Sequence, residues 1–156
     1  VGKILNYRRN VKMAATLTNK FFYSLSTKLV DFENDVFKII LMDTGFTFDR
    51  DTHQYYADVS AYELLTGNGY TQFDKTLSGV AVTEDNLNDR CSVTWNNPQW
   101  TASGGDIGPM AGAMILDDTV ASDLVVGYID FGGDQTQADG GVATIGNVEV
   151  RIGGST

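Results

Sequence analysis

Apolar side chains in the later part of this chain recur at every other position. Cys91, Val93 and Trp95 alternate with Ser92 and Thr94, and Val148, Val150 and Ile152 alternate with Glu149 and Arg151. Successive side chains of an extended strand point to opposite faces, so each run buries one face and wets the other. Gly79 to Thr83, Met110 to Leu116 and Leu124 to Phe131 read as further strands, parted by polar or glycine-rich connections such as Asp117-Asp118-Thr119 and Gly132-Gly133-Asp134. Several short strands with regular turn signals predict a mainly β fold, an antiparallel β-sandwich or barrel. Glycine supports this reading: 17 of 156 residues are glycine against two prolines, and tight turns between strands use glycine in this way.

The earlier part has a different period. Leu17, Phe21, Leu25 and Leu29 recur every four residues beside Phe22 and Phe32, which predicts an N-terminal helix over about 18 to 32, capped by Thr18, lying on a sheet. Val36 to Met42 is apolar except for Lys38, as in a central strand covered on both faces. Ser60-Ala61-Tyr62-Glu63 matches a capping box, and Leu64, Leu65 and Gly67 complete a short second helix. Gly132 to Gly141, GGDQTQADGG, reads as a polar loop: a hairpin tip or, in a sharper version, a ligand loop.

A chain of 156 residues has the size of one domain. Its charge is uneven. Lys3, Arg8, Arg9 and Lys12 fall in residues 1–12 with no acid; that leaves 7 basic against 20 acidic residues in the remainder, a net of −13. Such a body repels phosphates, so nucleic acid is not an expected partner. Residues 1–12 read as a basic extension outside a single β-rich domain of 13–156. They are either a translated segment ahead of Met13 or an arm that docks on an acidic neighbour. No stretch approaches the roughly 18 apolar residues that span a bilayer, and no membrane partner is expected. The opening residues lack the pattern of a secretory signal, and Cys91 is the single cysteine, so no internal disulfide forms. Synthesis and folding in a reducing cytoplasm fit these features.

Candidates for chemistry are few. His53 is the single histidine, and its surroundings, Arg50-Asp51-Thr52-His53-Gln54, match no catalytic motif. Cys91 falls on the buried face of its strand, where a thiol behaves as a small hydrophobe. Asp49 to His53 begins like a calcium loop, but Gln54 replaces the glycine of the sharp turn and Ala61 the final glutamate. Glu84-Asp85-Asn86 with Asn88-Asp89, and Asp130 with Asp134 and Asp139, offer oxygen ligands of the kind calcium takes. Gly104-Gly105-Asp106-Ile107-Gly108 lacks the lysine of a phosphate loop. Tyr55-Tyr56, or Trp95 and Trp100, would serve as a sugar-stacking platform if exposed, though aromatics in β domains more often fill cores. The residues therefore predict no catalytic, metal or cofactor site, and a protein that is not an enzyme.

Four segments occur in one order: Asp51 to Val59 (DTHQYYADV), Leu65 to Thr71 (LTGNGYT) with Leu77-Ser78-Gly79, Val93-Thr94-Trp95, and Val126 to Gly133 (VGYIDFGG). Together they resemble a family of small virion structural proteins of tailed bacteriophages, over roughly residues 20–150. The resemblance implies a subunit repeated on a phage head or tail, either a decoration or a tail-associated protein. Its expected partners are other virion proteins, further copies of itself among the candidates, and its place is the virion after synthesis in the host cytoplasm. It implies no active site. The alternative from another class is a carbohydrate-binding module for host attachment.

Overall fold

A computed structural model describes residues 14–154. The expected extension at 1–12 lies outside the described residues. In chain order the elements are β1 (Thr16–Leu17), α1 (Asn19–Ser26), β2 (Phe37–Asp43), α2 (Tyr56–Val59), a single 3-10 turn (Ser60–Tyr62), β3 (Ala81–Asp85), β4 (Arg90–Thr94), β5 (Gln99–Thr101), β6 (Ile107–Asp117), β7 (Leu124–Gln137), β8 (Val142–Thr144) and β9 (Glu149–Gly153). The fold is mainly β, its named strand pairs are all antiparallel, and its two α-helices are short. Three sheets form, with strand orders β1-β7-β6-β2, β3-β4-β9 and β5-β8.

The four-stranded sheet is apolar on both faces. Phe37, Ile39 and Leu41 of β2 join Ala113 and Ile115 of β6 in the large core. Ile40 and Met42 join Met114 and Leu116 in a second cluster on the opposite face, under Phe46 and Val59. The β6–β7 register shifts at three places, one of them inside the apolar half of β7. Ile115 pairs with Gly127 but Leu116 with Val125, so the extra residue, Val126, makes a bulge. The bulge reverses which parity faces which side: Leu124 and Val126 face the large core before it, and Ile129 and Phe131 after it. Gly112 is required where β6 passes β7, because a Cβ there would collide with the Tyr128 ring and the Ile129 carbonyl.

Three expectations are corrected. The helix expected over 18 to 32 ends at Ser26, although Thr18 does cap it: its hydroxyl accepts the Phe21 N–H at 3.0 Å and donates to the Val125 carbonyl at 2.8 Å. Lys28 takes the left-handed conformation (φ 61°) and turns the chain out of the helix. Val30 and Phe32 then enter the core from beyond the helix, Phe32 within a turn, while Leu29 stays 54 % exposed, so the stripe is half helical and half not. Secondly, β2 is covered on both faces but stands at the end of its sheet. Its outer edge is closed by the segment 63–77: the Leu64 N–H donates to Leu41, Leu77 to Phe37, and Ile39 to Lys75. Thirdly, Gly132 to Gln137 is the far half of β7 rather than a loop; Gln135 pairs with Met110 and Gln137 with Ile107. The partner strand supplies a regularity that this polar stretch does not show by itself.

The three-stranded sheet presents Val93 and Val150 to the large core, with Val148 and Trp95 beside them. Trp95 is 7 % exposed, its ring 5.4 Å from that of Phe37 and 6.0 Å from that of Phe32. β5 and β8 form a two-stranded ribbon whose Trp100 and Ala143 also join the core.

Candidate functional site

The most concentrated polar chemistry surrounds Glu63, which is 2 % exposed. Its Oε1 accepts the Tyr70 hydroxyl at 2.7 Å and the Phe73 N–H at 2.8 Å, and its Oε2 accepts the Tyr56 hydroxyl at 2.6 Å. The Tyr70 oxygen in turn accepts the Leu41 N–H at 3.0 Å. Burial, and then the carboxylate itself, pushes both tyrosine hydroxyls well above the ordinary tyrosine range. A carboxylate this buried, with both oxygens hydrogen-bonded, is a structural anchor rather than a group open to solvent. It ties the segment 63–73 to the edge of β2 and holds Phe73 in the left-handed conformation (φ 53°).

The expected capping box at Ser60 to Glu63 is therefore corrected. The α-helix lies one turn earlier, at Tyr56–Val59, with a single 3-10 turn following at Ser60–Tyr62, and Asp58 rather than Glu63 serves the start by accepting the Gln54 and Tyr55 N–H groups at 3.0 and 2.9 Å. The S-x-x-E pattern was matched by accident. The better signal was the pair of tyrosines seven residues to either side of Glu63.

A second buried carboxyl, Asp117, closes β6. Its Oδ1 accepts the Thr119 and Val120 N–H groups, while its buried Oδ2 has no hydrogen-bond partner. Burial, with Asp35 adding its negative charge, pushes the Asp117 carboxyl up to about 7. This pair sits at one end of the sheet, where β2 begins and β6 ends, and shapes stability with pH.

His53 and Cys91, the residues on which nucleophilic chemistry would depend, lie on opposite sides of the four-stranded sheet. The His53 ring stacks on Phe46, 5.2 Å between centroids, and its Nδ1 accepts the Asp49 N–H. Phe46 belongs to the second cluster, whereas Cys91 packs at the margin of the large core, half-buried rather than enclosed. The oxygen-ligand candidates are used locally. Asp85 binds Asn88 and Arg90, Asp130 accepts the Gly132 N–H, Asp134 accepts the Thr44 hydroxyl, and Asp139 accepts the Gly104 N–H. Among the described residues no three His, Cys, Asp or Glu side chains converge as a metal site does. Trp95 and Trp100 are 7 % and 5 % exposed, which removes them as a sugar-stacking platform.

What the fold leaves open is an edge. Among the described residues β3 has a strand on one side alone. Pairing of Val82 with Val93 and Glu84 with Cys91 places these four on the core-facing side of the sheet, yet Val82 is 45 % exposed. Beside it lies an open groove of about 550 Å³, with Leu25, Phe32, Val82 and Cys91 among its apolar walls. Asp31, Glu33 and Glu84 stand around it, with Lys28 as the opposing charge. An unpaired strand edge next to exposed apolar surface is the arrangement that pairs with another chain.

No family model, curated protein or solved structure matches the chain significantly. Among the described residues no helix is long and apolar enough to cross a membrane.

Proposed function

We propose that the protein is a non-enzymatic assembly subunit of a tailed-phage virion, folded as a β-sandwich in which the three-stranded sheet packs over one face of the four-stranded sheet. The single observation that carries the assembly reading is the open β3 edge beside an apolar groove. It offers a main-chain and side-chain surface of the kind a neighbouring subunit covers. The ordered resemblance of residues 51–59, 65–71, 77–79, 93–95 and 126–133 supports the virion setting. The acidic body supports it too, since like-charged outer surfaces keep assembled particles apart in solution.

The experiment mixes purified protein with phage heads or tails that lack it and measures bound copies against concentration, beside an assay for cleavage of host-surface glycans. Saturable, stoichiometric attachment is expected. Glycan cleavage that disappears on replacing one aspartate, without attachment to particles, would replace this reading with an enzymatic one.

A further inference from the structure

We propose that the groove beside β3 receives residues 1–13 of a second copy of this chain as an added strand. This rests on the assembly reading and names its partner. A strand hydrogen-bonded to the outer edge of β3 projects alternate side chains toward the groove, where Val82, Leu25 and Phe32 supply apolar contact. Residues 1–13 have the complementary pattern. Leu5, Tyr7, Val11 and Met13 share one parity, which Arg9 interrupts, with Asn6, Arg8, Asn10 and Lys12 on the other. Four cations without an acid meet a rim that carries Asp31, Glu33 and Glu84. Opposite charge steers such an encounter and disfavours other registers.

The geometry favours a neighbour's groove over the chain's own. Ala14 bridges Glu149 of β9, and the Ala15 N–H donates to the Glu149 carbonyl at 3.0 Å. The chain thus joins the three-stranded sheet at the edge opposite β3, with β4 between. One copy then offers an arm at one edge and a receiving strand at the other. Such a head-to-tail contact repeats from subunit to subunit and closes into rings or runs on as an array.

Cys91 makes the test direct, because it lies in the groove and is the single thiol of the chain. Val11→Cys is introduced into the full chain, which is then oxidised mildly and its mass read without reductant. Disulfide-linked dimers and longer species joining the new thiol to Cys91 are expected, and the chain without the substitution should give neither. Adding Arg8→Glu and Arg9→Glu should lower the cross-linking yield roughly tenfold, and mixing that variant with one carrying Glu33→Lys and Glu84→Lys should restore it between the two chains. A disulfide closed within one chain, or a yield indifferent to these charge reversals, overturns the proposal. Attachment of the unmodified protein to particles without any cross-linking overturns this inference alone. Cross-linking without attachment keeps it and overturns the virion reading.

Discussion

The edges of β2 and β3 are treated in opposite ways by the same chain. β2 is buried on both faces, and its edge is closed by 63–77 through backbone hydrogen bonds and the Glu63 carboxylate. β3 is exposed along most of its length, pairs on one side, and borders a groove. Covering an edge removes a template for pairing with other chains, and leaving one uncovered keeps that template. Buried packing is thus concentrated around the four-stranded sheet, and the uncovered edge lies at β3.

The largest effect is expected at the residue that joins the two regions. Trp95→Ala empties the contact with Phe32 and Phe37 and should cost about 3–5 kcal/mol, read from the midpoint of chemical unfolding. A near-neutral result would mean that the two sheets do not share a core there.

Next comes the lock on β2. Glu63→Gln keeps the shape but removes the charge that three donors share, and should cost about 1–3 kcal/mol. Amide exchange should quicken at Ile39 and Leu64, whose N–H groups cross between β2 and 63–77, while β3 is unchanged. Equal quickening in both sheets would show that Glu63 does not act on that edge in particular.

The Asp117 substitution separates the regions by pH. Its folded carboxyl is pushed up to about 7 from 3.8, so the fold favours the neutral acid. The stability held by that neutral form is complete below about pH 4 and is lost as pH rises through about 7. Asp123, raised by burial and then by Asp118, acts in the same direction. Asp117→Asn should therefore raise the melting temperature at pH 8 by a few degrees, at ~2–4 °C per kcal/mol, and change it much less at pH 5. A gain that is equal at both pH values would place the effect outside this carboxyl.

The smallest effect is expected at the open edge. Val82→Thr should change stability by no more than about 0.5 kcal/mol, because its side chain is already half in water. Removing residues 1–12 should leave the melt of dilute protein unchanged. A clear loss from either change would mean that β3 is already covered within one chain.

The elements that were legible in the sequence are those whose signal is carried by neighbouring residues. Alternation at Val93-Trp95 and Val148-Val150 marked strands, because side chains along a strand must face opposite sides. The apolar run before Met42 marked a strand covered twice, since each parity needs its own core. Thr18 announced a helix start through a bond to its own third residue. By itself, then, the sequence determined a mainly β domain and the inward faces of its main strands. The tertiary structure decided what depends on distant partners. Gln135 and Gln137 are strand residues because β6 lies beside them, Lys28 ends α1 where Phe32 is drawn toward Phe37 and Trp95, and Glu63 is an anchor because Tyr56, Tyr70 and Phe73 converge on it. Which strand edge is sealed and which stays open follows from the path of 63–77 across β2. No local period encodes that path, because the bonds that fix it join residues far apart along the chain.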